Sequence, residues 1–261
     1  MRTWFTLASS VLVPALALAQ PGGVDWERRV VRCGGIGPPS LREGAGVVSV
    51  TRAGTERAAR RDALRNCMAL LRGVLIENGM TVAQALARDD ALTSSLEDAL
   101  KRFRSSGELR LFSDGGVELL MEVPLDGDVS ALLLPVAVSS RRAVGEGAAR
   151  GHGVTGVVVD ASGLAVAYAL APRILDEAGG EVYGPSLLDV RARRGGTTAY
   201  AIDVPSARRA FAVRLGAAPR VVKAIRVEGA DVVISSAEAG EIRGSACLTE
   251  GRVVIVARGR P

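Results

Sequence analysis

Residues 55–78, TERAARRDALRNCMALLRGVLIEN, decide how the first half of the chain folds. Ala59, Ala63, Cys67, Leu70, Leu71 and Val74 recur at steps of three and four, the spacing that puts side chains on one face of an α-helix. Arg57, Arg60, Arg61 and Arg65 take the opposite face and form a candidate contact surface. Gly79 follows Asn78, and a glycine there accepts the left-handed backbone that ends a helix. The pattern predicts one long helix over 55–78.

Downstream, Thr81-x-x-Gln84 and Ser95-x-x-Asp98 have the spacing of capping boxes and predict two further helical starts. Leu92, Leu96, Ala99, Leu100 and Phe103 keep the helical period. The period then changes to two. Leu109 and Leu111 lead into the turn Asp114-Gly115-Gly116, after which Val117, Leu119, Met121, Val123 and Leu125 alternate with Glu118 and Glu122. That is a β-hairpin with one face against the helices. Upstream, Val47–Val50 is a strand candidate. Residues 20–45 carry Pro21-Gly22-Gly23 and Gly34-Gly35-Ile36-Gly37-Pro38-Pro39, a density of glycine and proline that predicts a flexible segment.

A first domain over 46–134 is therefore expected, followed by a linker over 135–153 and a second domain over 154–261. Strands are expected at Val154–Asp160, in a hairpin around Glu177-Ala178-Gly179-Gly180, and at 221–227, 232–235 and 253–257, with Ser236 capping a short helix. The fold class read from this order is α+β: two small domains, each a mostly antiparallel sheet packed on helices.

The first nineteen residues predict a destination. Met1-Arg2-Thr3 is a short cationic start, Trp4–Leu18 is almost wholly apolar, and Ala17-Leu18-Ala19 offers small residues before a cut at Gln20. Residues 1–19 thus read as a cleaved signal peptide, and the chain as periplasmic, with association to the outer membrane as a variant. No lipid-bearing cysteine follows the cut. In an oxidising compartment the three cysteines allow one disulfide. Cys33 and Cys67 are the expected pair, with reduced, buried thiols as the alternative.

Composition excludes several classes of function. The net charge is only +5 with 28 acidic residues interleaved, too little for a nucleic-acid footprint. The residual cationic character leaves membrane-surface contact open. His152 is the single histidine, with no G-x-S-x-G elbow to serve and no second histidine for zinc. Gly145-x-Gly147 lacks the third glycine of a dinucleotide turn. No cofactor and no metal is expected. Asp160 and Asp176 suit turns, where aspartate bonds nearby backbone N–H groups. As a carboxylate pair they would instead make a hydrolase. The tryptophans and tyrosines are too scattered in sequence to suggest a stacking platform.

Two stretches resemble known envelope proteins. Glu56-Arg57-Ala58-Ala59-Arg60-Arg61-Asp62-Ala63-Leu64, with the capped helices and hairpin behind it, resembles the Lpp-twenty-type envelope lipoprotein family and the related N-terminal part of flagellar assembly protein T. Thr155–Leu164, Ala169–Glu177, Glu181–Gly184, Lys223-Ala224 and Asp231–Ser235 look like the C-terminal region of that group. The resemblance implies a non-enzymatic envelope component, an assembly or structural factor whose partners are envelope or basal-body proteins. It carries no catalytic residue. The alternatives are the carboxylate-dependent hydrolase and a small-ligand binding module.

Overall fold

The computed structural model describes residues 22–39, 41–44, 47–103, 109–134 and 153–258. The expected leader, His152 and the expected linker except Gly153 lie outside them. The protein is α+β, with a four-stranded sheet, a seven-stranded sheet and two two-stranded hairpins among the described residues.

The first unit runs β1 (Gly23–Asp25), β2 (Val30–Gly37), β3 (Leu41–Gly44), β4 (Val47–Val50), α1 (Arg52–Arg72), β5 (Leu75–Glu77), β6 (Met80–Thr81), α2 (Val82–Leu86), α3 (Asp90–Arg102), β7 (Leu109–Leu111), β8 (Val117–Pro124) and α4 (Asp128–Leu133). Its sheet has the order β1-β2-β8-β7 and is antiparallel throughout. On β8 the alternation holds: Val117, Leu119, Met121 and Val123 are buried beneath α1, while Glu118 and Glu122 turn outward to Arg110, Arg28 and Arg32.

α1 lies on β2. Thr55, Ala59, Ala63, Cys67 and Leu71, spaced by four, form its buried stripe. The small size of the first four lets the helix axis approach the sheet, and the glycines of β2 complete the fit. A Cβ on Gly35 would overlap the Ala63 amide and come within 2.7 Å of Ala63 Cα; one on Gly37 would lie 2.8 Å from the Ala59 nitrogen. Two hydrogen bonds and one covalent link fix the register. Asp62 Oδ2 accepts the Ile36 N–H at 2.9 Å, and Asn66 Nδ2 donates to Gly34 O at 2.7 Å. A disulfide joins Cys33 to Cys67, with Cα atoms 5.2 Å apart.

Several expectations are corrected here. The segment 20–45 holds β1, the central strand β2 and β3; the glycines of β2 are there for close helix packing. The helix stops at Arg72, where Gly73 N–H bonds Leu70 O, and Leu75–Glu77 becomes a strand. Gly79, at φ 77°, turns the β5–β6 hairpin and caps no helix. Ser95 lies inside α3, which begins at Asp90 with Asp89 as its cap. Thr81 and Gln84 do form a capping box on α2.

The second unit runs β9 (Gly156–Asp160), β10 (Ile174–Leu175), β11 (Glu181–Tyr183), α5 (Val190–Arg194), β12 (Ala199–Ala201), α6 (Val204–Ala210), α7 (Ala212–Leu215), β13 (Pro219–Glu228), β14 (Asp231–Ile234), α8 (Ser236–Ile242), α9 (Ala246–Thr249) and β15 (Val253–Val256). Ser235, one residue before the expected Ser236, caps α8. The sheet order is β11-β10-β14-β13-β9-β15-β12. This sheet is mixed: β13, β9, β15 and β12 run parallel, while β14 and β11 pair antiparallel with their hairpin partners. The reason is burial on both faces. Val157, Val159, Val253 and Ile255 enter one core, and Val158, Val254 and Val256 enter the other with Leu215 and Ala207. A strand covered on both sides reads as an unbroken apolar run, the habit of parallel sheets.

The two units share a core. Leu170 and Ala171 pack in the first unit's core, and their N–H groups donate to Leu75 O and Ile76 O, both at 2.8 Å. Trp26, Tyr168 and Tyr200, far apart in sequence, meet here with ring centroids 4.4 to 5.7 Å apart. The Tyr200 hydroxyl accepts the Ala169 N–H and donates to Ala169 O, each at 3.0 Å. Burial pushes its pKa up, so it stays a neutral donor. Tyr200→Phe orphans a buried N–H and is expected to cost about 1–3 kcal/mol, read as a lower denaturant midpoint; an unchanged midpoint would mean the hydroxyl does not hold this junction.

Candidate contact surfaces

The four arginines of the α1 face part company in the structure. Arg60 is half-buried, and its Nη2 donates to Lys101 O at 3.0 Å and Phe103 O at 2.8 Å. It satisfies carbonyls at the end of α3, which a helix leaves without partners, and so pins α3 to α1. Arg65 pairs with Asp62, the same carboxylate that holds β2. Arg57 and Arg61 are exposed and enter no ion pair among the described residues.

Where α3 crosses α1, a groove of about 460 Å³ opens. Its floor is Leu64, Met68, Ala69 and Leu100; Arg65, Arg72 and Lys101 stand along it with Glu97 the one acid of the lining, while Asp62 and Asp98 pair with Arg65 and Lys101 from outside it. The helical period explains the floor. Leu64 and Met68 follow the buried Ala63 and Cys67 by one position, which rotates them off the sheet toward α3. They are half-buried, so part of each apolar side chain still faces solvent. The Lys101 ammonium is held by Asp98 at 3.0 Å, which raises its pKa and keeps it charged. Of the expected contact residues, only Arg65 lies in this groove. Leu64, Met68 and Leu100 gave no separate signal, because their role depends on where α3 docks.

Asp160 and Asp176 sit in turns, as their sequence context predicts, and the alternative carboxylate pair does not assemble. β9 and β10 are separated by β13 and β14, three strand spacings or about 14 Å, beyond the roughly 5–10 Å over which paired carboxyls do glycosidase chemistry. Asp160 Oδ1 accepts the Ser162 N–H at 3.0 Å in a turn. Asp176 Oδ1 accepts from Ala178 and Gly180, and its Oδ2 pairs with Arg243 at 2.6 Å. Arg243 first, then those backbone donors, hold its pKa below the ordinary carboxylate value, opposite to what a general acid needs. Trp26, Tyr168 and Tyr200 do come together in space, as a packing element between the units. His152 lies outside the described residues. Among the described residues, no group of three or more His, Cys, Asp or Glu side chains is placed to hold a metal ion, and no helix is long and apolar enough to cross a membrane.

The parallel run of the second sheet is where a likeness to a known protein falls. Residues 156–259 match the family model of the second domain of Treponema pallidum Tp0624. The match opens on the first residue of β9 and takes in the whole second sheet, so it bears on that unit alone. No curated protein matches the chain.

Proposed function

We propose that this is an exported, non-enzymatic envelope protein, an assembly or structural factor that works by binding partners through the α1–α3 groove. The observation that carries this reading is an apolar floor set within a cationic rim. Such a groove fits an amphipathic segment that lays two or three apolar side chains on Leu64, Met68 and Leu100 and brings carboxylates to Arg65, Arg72 and Lys101. The leader supports the periplasmic setting. The resemblance to Lpp-twenty-type proteins and flagellar assembly protein T supports envelope or basal-body proteins as the partner class.

The test is Ala69→Glu. Ala69 is exposed on the groove floor, so the change should move stability by no more than about 0.5 kcal/mol, while an acid there repels a partner's carboxylates and wets the apolar floor. At least a tenfold loss of co-purified envelope partner is expected at an unchanged melting temperature. Full retention of that partner by the variant would overturn the reading. The setting is checked by intact mass: native protein beginning at Gln20 in the envelope fraction supports export, and protein beginning at Met1 in the cytosol contradicts it.

A further inference from the structure

A second surface, on the other unit, has a different chemistry. A cleft of about 550 Å³ opens between α5, α7 and the turn into β15, with Arg191, Arg214 and Arg252 in its walls. Its two acids are already committed. Asp189 Oδ1 accepts the Ala192 N–H at 2.6 Å as the cap of α5, and Glu250 pairs with Arg252 at 2.6 Å. Arg214 is fixed as part of the wall: its Nε donates to Gly251 O at 2.9 Å and its Nη2 to Gly196 O. Burial lowers its pKa, so a nearby anion would be favoured on electrostatic grounds. Arg191 and its neighbour Arg194 are exposed and form no ion pair among the described residues.

Behind this wall the charge is unusual. Arg29, 4% exposed, holds the left-handed conformation at φ 52° and donates from Nε to Asp126 Oδ1 at 2.7 Å. Its Nη1 and Nη2 are buried with no hydrogen-bond partner among the described residues. Arg29 also acts electrostatically on Arg214. Arg29 and its partner Asp126 thus both act through space on Arg214, two guanidiniums against one carboxylate.

Two aliphatic side chains protrude from these helices: Val213 lines the cleft, and Val190 directly precedes Arg191. Val213 on α7 is 96% exposed, and Val190 on α5 is 63% exposed. Free arginines beside protruding aliphatic side chains suit an interface between water and anionic lipid. There, the aliphatic tips enter the headgroup boundary and guanidinium forks take phosphate oxygens. We infer that the α5–α7 face docks on an anionic phospholipid surface, with the arginine cleft receiving a headgroup phosphate. It takes only its envelope setting from the function proposed above; the groove variant Ala69→Glu should leave it intact, so the two can fail separately.

The test uses protein purified from cells and sedimented with vesicles. One set contains phosphatidylglycerol and phosphatidylcholine in equal parts, the other phosphatidylcholine alone. Binding to the anionic set is expected, weakening as salt rises past about 0.15 M. The double variant Arg191→Glu, Arg194→Glu should bind at least about 25-fold more weakly, at roughly fivefold per arginine. Val213→Asp should bind about tenfold more weakly for the lost aliphatic insertion. All three positions are exposed, and an unchanged circular-dichroism melt shows that the fold is kept. Equal binding to neutral vesicles, wild-type binding by these variants, or binding of inorganic phosphate with no binding to either vesicle would each overturn the inference.

Discussion

Gly35→Val is expected to abolish the native packing of the first unit. The new Cβ would overlap the backbone of Ala63, so the obstacle is main chain and cannot swing aside as a flexible side chain would. Relief requires α1 to lift from β2. That movement would strain the Cys33–Cys67 link, the Asp62 bond to Ile36 and the Asn66 bond to Gly34, all of which set the helix at its present height. Overpacking of a well-filled core costs about 1–3 kcal/mol, and a backbone clash at the centre of the main helix–sheet contact belongs at or above the top of that range. The expected result is little soluble protein, or a loss of at least about 3 kcal/mol in denaturant unfolding. Val30→Ala, on the same strand but only half-buried, serves as the control and should cost far less. A Gly35→Val protein as stable as wild type would mean that α1 does not sit on β2 in this way.

Removing the disulfide should have the next largest effect. Cys33 and Cys67 are 34 residues apart, and closing a loop of that size restricts the unfolded chain by about 3–4 kcal/mol in the chain-entropy account. Both cysteines are buried in the core, so reduction also leaves two thiols in a space packed for a bond. Cys67→Ser should lower the unfolding free energy by about that amount, and non-reducing peptide mapping should recover Cys33 linked to Cys67 with Cys247 free. Cys247 is buried and its thiol pKa is raised by desolvation, which makes it a poor competitor for exchange. An unfolding midpoint indifferent to reductant would contradict the prediction.

What the sequence made legible follows from how local each signal is. The stripe Ala59, Ala63, Cys67, Leu71 announces α1, because four-residue spacing needs no knowledge of the partner. Its end was less legible: Val74 and Ile76 continue the apolar rhythm past Gly73, so only the cap geometry separates helix from strand. β2 was hidden because Gly34, Gly35 and Gly37 look like a loop in isolation, and their purpose appears only when α1 is laid against them. The parallel run in the second sheet was signalled by Val157–Val159 and by Val253–Val256, apolar on both faces, though antiparallel hairpins around them masked it. Trp26, Tyr168 and Tyr200 could not be joined from sequence, since their contact depends on how two units dock.

The groove shows the same division. Arg65 stood out on an arginine-rich face, but that face alone does not distinguish a contact surface from a solvated one. Arg60 turned out to be a structural tie, and the apolar floor became visible only once α3 was placed. Position on α1 was readable; function of each position required the neighbour.

The most direct measurement of the central claim is site-specific photo-crosslinking in intact cells, with the reactive side chain placed at Ala69 in the groove and, as a control, at Arg110 on the outer face of β7. A discrete adduct with an envelope or basal-body protein is expected from Ala69, absent from Arg110 and lost when Met68 is also replaced by Glu. Adducts of equal yield from both positions, or adducts only with cytosolic proteins, would contradict it.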